Sequence, residues 1–528
     1  MKPSPSIIKY LLWLLLVFSL FLATTLWFLT STANGQRTAR LALPVDDAYI
    51  HQDYARSLIE EHCICFNRGI PEAGLTAPLF TVFLAATVEL GKVLGFGPVV
   101  ASMACSAFFG LLAALLAGII GGRNEGTRFE LLPACVVSAI VLIAPYFNFS
   151  RLSGMEVTIS ALTILAGAYV WSLRRPLLLG LTLPLCMLSR PENLLLFAVL
   201  GLGWCMLVLF KKEKPATLLS VAIPPLVLLC AWFAYDLSVS GRPLPNTYYA
   251  KTVPLSLFRT QNLVNLISES GLGLGRSRLV PAMIFYLAGV YHILKRRSSL
   301  WPLIVYPWLF VYGVSVTREF YDIRSYSNNR YIQPIIPCLL IPLGMGLVFA
   351  WRSLLELLKK KDLKARMLGF LVLILSLALF IPIALNWQEY LVRQRKLLAE
   401  NCMNIYEIHV RAGQWISKNI PENAVVAAYD VGAVRFYGDR QVLDLVGLNT
   451  HQMLDNPAYI YEQKPAYYFM PATRREREII EQGGKEWTKY RLPGDKWVEL
   501  KPVFWVEAKK YTVTSAYPNL QVLYEARY

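Results

Sequence analysis

The chain is 528 residues long, 55% hydrophobic and 16% charged, with a net charge of +17. Soluble domains carry about 25% charge, so a wholly soluble protein is excluded. The cations are spread over alternating short loops rather than gathered in one patch, so nucleic acid is not an expected partner.

Apolar runs near 20 residues recur along most of the chain, as in a polytopic helical membrane protein. Spans are predicted at 7–30, 98–120, 131–149, 157–173, 177–190, 193–210, 216–238, 279–294, 299–316, 332–351 and 367–386. The first run is too long for a signal peptide and no A-x-A site follows it, so it reads as an uncleaved anchor. Six segments between runs are basic: Lys2 with Lys9, Arg123 with Arg128, Arg174 with Arg175, Lys211 to Lys214, Lys295 to Arg297, and 352–366. Together they hold +13 of the net +17. Cytoplasmic loops are enriched in Lys and Arg. Eleven spans put all six segments and the N-terminus inside, and the C-terminal tail outside. Residues 76–94 are apolar too, but a further span there would invert this order. They are expected to form a helix dipping into the outer leaflet.

After residue 386 no run is long enough to cross. Residues 387–528 carry 19 Lys/Arg and 17 Asp/Glu, the charge density of a globular domain. Residues 405–419 are predicted helical, Ala424–Tyr429 and Gln441–Leu445 are predicted strands, and a β-rich end follows from about 487. The expectation is an α-helical polytopic membrane protein: residues 1–386 form the transmembrane catalytic domain, with 31–97 as its first outward loop. Residues 387–528 form an extracytoplasmic α/β domain. Tyr429, Phe436, Tyr437, Tyr467 and Tyr468 are core residues of that domain or surfaces for stacking sugars.

The outward loops are polar at the span ends. The first reads PVDDAYIHQDYAR over 44–56. Asp46, Asp47 and Asp53 lie within eight residues. Adjacent carboxylates near lipid raise each other's pKa, and such a group can deprotonate a hydroxyl or bind a cation. One Asp can serve as a helix N-cap over 47–60, but that does not account for the pair. His51 is close by. The second loop, SRLSGME, ends in Glu156, either a cap or a site acid on the same membrane face. The third, SRPEN, holds Arg190 and Glu192, an internal ion pair or a lining of a polar cavity. The last group, GRPLPNTYYAK and REFYDIRSYSNNRY, brings Lys251, Arg318, Arg324 and Arg330 with Tyr249 and Tyr331. Cations and hydroxyls suit a phosphate and a sugar; the same residues also suit lipid headgroups. A coupled transporter places ionisable groups mid-membrane. Here they gather at one surface, which favours an enzyme acting on a lipid-linked substrate.

The order DDAYI, N-x-G-x-P-E-x-x-L-T (Asn67 to Thr76), SGME, RPE, LPNTYYAK, NNRYIQP and DVGAVRFYGDRQVLDLVGL (430–448) resembles the GT-C superfamily of integral-membrane glycosyltransferases. Within it the branch of the mycobacterial terminal β-1,2-arabinofuranosyltransferase is the nearest in pattern. The first loop departs from relatives at HQDYAR and EAGLTAP, which bears on the sugar and the acceptor. The resemblance implies a bacterial cytoplasmic-membrane enzyme that moves a sugar from a polyprenyl-phosphate donor to a hydroxyl of a cell-envelope glycan or glycolipid, on the outer face and with inversion. It assigns Asp46, Asp47 and Glu156 as the catalytic acids. His51, Arg190, Lys251, Arg330, Tyr331 and Tyr249 are the candidate substrate-binding residues. A divalent Mg²⁺ or Mn²⁺ held by the three acids is an alternative source of charge stabilisation. An oligosaccharide ligase or oligosaccharyltransferase, and a flippase of lipid-linked sugars, are the competing functions.

Nine cysteines are present. Cys63, Cys65 and Cys402 lie outside the spans. Cys63 and Cys65 are read as too close to pair readily, leaving either free thiols or a bridge from one of them to Cys402.

Overall fold

The computed structural model describes residues 5–123, 129–251, 275–296, 298–317, 330–481, 486–492, 496–508 and 520–528. The membrane part comprises helices α1 (Pro5–Leu29), α2 (Asp47–Glu60), α3 (Pro78–Leu94), α4 (Pro98–Gly122), α5 (Leu131–Leu142), α6 (Pro145–Arg151), α7 (Val157–Ser172), α8 (Pro176–Ser189), α9 (Leu194–Leu209) and α10 (Ala216–Ser240). It continues with α11 (Asn246–Lys251), α12 (Gly275–Arg296), α13 (Pro302–Thr317), α14 (Ile336–Lys359) and α15 (Leu363–Ile405). Among the described residues six helices are long and apolar enough to cross a bilayer, or seven if the bent pair α5–α6 is one span; α7, α8, α12 and α13 are apolar but shorter. Large apolar side chains on α1, α9, α10 and α15 face outward, Leu15 at 65% and Leu209 at 72% exposure. Such surfaces are stable only in lipid, so the chain is a multi-pass membrane protein.

The sequence predicts one span over 131–149. It is broken by 69° between α5 and α6. Proline disfavours helix in the residue before it, and Ala144 is extended ahead of Pro145. The apolar stretch 76–94 forms α3, which is not among the helices able to cross. Pro78 opens it and Gly95, at φ 76°, closes it.

Helix α15 is 43 residues long. At 1.5 Å per residue it reaches about 65 Å, twice the hydrocarbon thickness, and so carries the chain out of the bundle. A π turn at Tyr406–Val410 leads into α16 (Arg411–Asn419). Then come β5 (Val425–Ala428), α17 (Gly432–Gly438), β6 (Gln441–Asp444), β7 (Tyr467–Pro471), β8 (Thr488–Leu492), β9 (Lys496–Glu507) and β10 (Leu520–Arg527), numbered after the short hairpins β1–β2 (Thr32–Ala33, Gln36–Arg37) and β3–β4 (Cys65–Asn67, Ile70–Pro71). The six-stranded sheet runs β6-β5-β7-β10-β9-β8. β5 pairs in parallel with β6 and β7, and the remaining pairs are antiparallel. Tyr468 and Tyr467 lie on the central strand β7, Tyr468 fully buried, while Tyr429 is 50% exposed.

The cysteine expectation is corrected. Cys63 and Cys65 are joined to each other across a Cα–Cα distance of 5.4 Å, which is within disulfide reach. Cys402 is a buried free thiol on α15.

Candidate active site

Helix α2 opens the first outward loop, and its periodicity separates the acids. Asp47, Ile50, His51 and Tyr54 fall at i, i+3, i+4 and i+7 and line a cavity. Asp46, Tyr49, Asp53 and Arg56 fall on a second stripe, which faces the C-terminal domain. Adjacent helical residues point about 100° apart, so Asp46 and Asp47 serve different surfaces.

Asp46 is buried against α17. Its Oδ2 accepts the amide of Gly432 at 2.7 Å and its Oδ1 the amide of Ala433 at 2.8 Å, satisfying donors at a helix start. A side chain on Gly432 would meet the Asp46 carbonyl oxygen at 2.2 Å, so glycine is needed for this approach. His409, with Nε2 3.3 Å from Asp430 Oδ2, lies behind it. Burial raises the Asp46 carboxyl to about 6, against the opposing pull of His409 and the two amides. Along the same stripe Tyr49 packs on Phe436 and Tyr437. Asp53 Oδ1 accepts from Arg56 at 2.8 Å, with Arg435 3.9 Å away. Burial raises Asp53 to about 7 despite both cations.

The cavity on the other side measures about 560 Å³ and lies between α2, α7, α9, α11 and α13. Arg330 makes an ion pair with Asp47 Oδ2, and Lys251 Nζ lies 3.7 Å from the same oxygen. Burial would raise the Asp47 carboxyl, but Arg330 and Lys251 outweigh it and hold it well below the usual range. Glu156, at the start of α7, pairs with Arg190, and His51 Nε2 is 3.3 Å from Glu156 Oε2. Burial opposes ionisation of Glu156 too, yet Arg190 and His51 hold it at about 2. Arg190 also reaches Glu192 at 3.4 Å. The Tyr331 ring receives both guanidinium groups, Arg190 and Arg330, each 5.5 Å from its centre, a cation–π contact that fixes their planes. Asp47, Glu156, Glu192, Arg190, Lys251 and Arg330 therefore balance in formal charge around one space.

The cavity thus brings together Asp47, Glu156, His51, Arg190, Lys251, Arg330 and Tyr331, and leaves out two residues. Asp46 is turned onto α17. Tyr249 lies under the Arg242 guanidinium at 4.8 Å, and Tyr248 lines the cavity in its place. Arg318 and Arg324 lie outside the described residues. The three acids proposed for a divalent metal do not form a ligand set, because Asp46 is spent on amides while Asp47 and Glu156 are held by arginine. Among the described residues the one group of three close enough to share an ion is Glu61, Cys63 and Cys65, and its cysteines are joined in a disulfide.

The sequence offered tail aromatics as sugar surfaces but did not single out the tail residues that reach the cavity. Leu448 and Asn449, just after β6, line the cavity. Asn449 accepts the Tyr54 hydroxyl at 3.0 Å, and a side chain on Gly74 would meet the Leu448 carbonyl oxygen at 2.4 Å. Glu72 was missed as well: its Oε1 is 2.8 Å from Asn246 Nδ2 and 3.0 Å from His451 Nδ1. It ties the first loop, the start of α11 and the tail together. The motif strings 67–76 and 430–448 hold Glu72 and Leu448, while Asn449 and His451 lie just beyond the second, and nothing in the strings says which of them touch.

Residues 403–517 match the family described as a domain of unknown function, DUF8728. No curated protein matches the chain in sequence. The fold is similar to that of ArnT from Cupriavidus metallidurans. For its apo crystal structure the TM-score is 0.57 at 13% identity, covering 97% of each chain. For the structure bound to undecaprenyl phosphate it is 0.58 at 14% identity, covering 97% of this chain and 98% of that one. The archaeal oligosaccharyltransferase AglB from Archaeoglobus fulgidus, in complex with an inhibitory peptide and a dolichol-phosphate, is similar at a TM-score of 0.53 and 13% identity, over 92% of this chain and 74% of that one. At these identities the likeness is one of fold.

Proposed function

We propose that the protein is a glycosyltransferase that moves a sugar from a polyprenyl-phosphate donor to an acceptor hydroxyl. The observation that carries this reading is the cavity in which Arg330 and Lys251 converge on Asp47 beside the Glu156–Arg190 pair. Two cations suit a phosphate, and a carboxylate beside them suits an acceptor hydroxyl. A second, apolar pocket shares Thr76, Pro191, Leu194, Leu244 and Pro245 with the cavity, which suits the isoprenoid chain of such a donor. The undecaprenyl phosphate and dolichol-phosphate bound to proteins of the same fold support the same ligand class.

In this reading Asp47 is the base. The acceptor oxygen bonds to the anomeric carbon from the face opposite the phosphate, and the acceptor proton passes to the Asp47 carboxylate. The bond from that carbon to the phosphate oxygen breaks, and its electron pair leaves with the lipid phosphate as a dianion. Arg330 and Lys251 stabilise that growing charge. Glu156 orients His51 and Arg190 at the opposite wall. Asp46 positions α2 and is not the base. Residues 1–386 act as the membrane catalytic domain, with eleven spans, in a bacterial cytoplasmic membrane. Residues 387–528 lie outside, where a cell-envelope glycan or glycolipid is the acceptor. The motif resemblance favours an arabinofuranose-type sugar.

The AglB likeness supports a second reading, transfer of a preassembled oligosaccharide. Purified protein incubated with a panel of donors separates the two. Release of polyprenyl phosphate from monosaccharyl monophosphate lipids, dependent on acceptor, is the expected result. Turnover confined to oligosaccharyl pyrophosphate lipids supports the second reading instead. Movement of lipid across liposomes without release identifies a flippase.

A further inference from the structure

Three carboxylates and three guanidinium or ammonium groups line the described part of the cavity, but they are shared unevenly. Arg190 is held by two acids, Glu156 and Glu192. Arg330 and Lys251 share a single oxygen of a single acid, Asp47 Oδ2. Among the described residues an excess positive charge therefore sits at Asp47, and a carboxylate oxygen occupies the place where both cations point. The Asp47 side chain is 32% exposed, more than Arg330 at 14% or Lys251 at 22%. The acid is thus the member of the trio most open to the cavity.

We infer that Asp47 occupies the phosphate subsite in the ligand-free protein and that the donor phosphate displaces it from Arg330 and Lys251. This rests on the glycosyltransferase reading and adds an order to it. The incoming phosphodiester supplies one negative charge to cations that have one in excess, so the exchange needs no proton. Once its ion pairs are lost, Asp47 is a free carboxylate next to the anomeric carbon, in position to accept the acceptor proton. Donor binding therefore creates the base. Without donor the acid is tied up and cannot activate an acceptor or water.

An acid that competes with phosphate must weaken phosphate binding, which is the reverse of what a ligand does. The test is the affinity of the full-length protein in nanodiscs for polyprenyl phosphate, with polyprenol as the control lacking phosphate. Asp47→Asn is expected to bind polyprenyl phosphate at least fivefold tighter than the wild type and polyprenol equally. Asp47→Ser gives the same comparison if the Asn variant misfolds. Adding Arg330→Gln to either variant is expected to abolish the gain. Equal or weaker binding of polyprenyl phosphate by the Asp47 variants overturns the exchange. Turnover of the same variants tests the underlying reading separately. Tighter binding with turnover retained keeps the exchange and removes Asp47 as the base. Unchanged binding with turnover lost does the opposite.

Discussion

Asp46 and Asp47 are neighbours in sequence with different chemistry, and the difference follows from where a helix points them. Asp46 spends both oxygens on the amides of Gly432 and Ala433; Asp47 faces two cations across the cavity. Asp47→Asn is expected to leave the protein folded and to lower turnover by roughly a hundredfold or more, the scale of a lost general base. Asp46→Asn keeps one acceptor for the two amides. It is expected to cost about 1 kcal/mol of stability, as for a weakened cap, and less than tenfold in turnover. Measuring kcat and Tm for both variants separates the roles, and a larger loss of turnover in Asp46→Asn reverses them. The acid pair was legible in the sequence as a feature of the first loop. Its division of labour was not, because the partner amides lie 386 and 387 residues away in the chain.

At the scale of elements, α2 packs against both the bundle cavity and the C-terminal domain. One stripe lines the cavity and another forms an acidic seam with α17 and its flanking residues. The eleven apolar runs all fall on helices, but among the described residues only six or seven of these are long and apolar enough to cross a bilayer. The break at Pro145 was readable in principle from that proline. The seam was not readable, because long-range pairing leaves no periodic signal. It has a pH signature of its own. Burial raises Asp46 to about 6 and Asp53 to about 7, both above the ordinary carboxylate value. An acid whose folded-state pKa is raised binds protons more tightly when folded. Its stabilising contribution is complete below about pH 4 and is lost as pH rises through 6 to 7. Wild-type protein is therefore expected to lose more Tm between pH 5 and pH 8 than Asp53→Asn, whose position no longer titrates. Parallel losses in the two proteins would show that Asp53 is not ionising within the seam.

For the whole molecule, the cavity is built by both bodies. The bundle supplies Glu156, Arg190 and Arg330, the first loop supplies Asp47 and His51, and the tail supplies Leu448 and Asn449. The loop charges give this assembly a direction. The basic segments, including 352–366 between α14 and α15, are expected inside by the excess of Lys and Arg. In the proposed topology α15 crosses next and delivers the tail, with the cavity beside it, to the opposite face. Lys360 and Asn456 are both exposed, and the proposed topology puts them on opposite faces. In whole cells, a cysteine replacing Asn456 is expected to react with a membrane-impermeant maleimide, while one replacing Lys360 reacts only after the cells are opened. The native cysteines make a necessary baseline, since Cys205 and Cys230 are exposed on α9 and α10, so labelling is scored above the unsubstituted protein. The reverse pattern would turn the cavity toward the cytoplasm, where nucleotide-sugar donors are made, and would remove the main reason to expect a lipid-linked donor on the outer face.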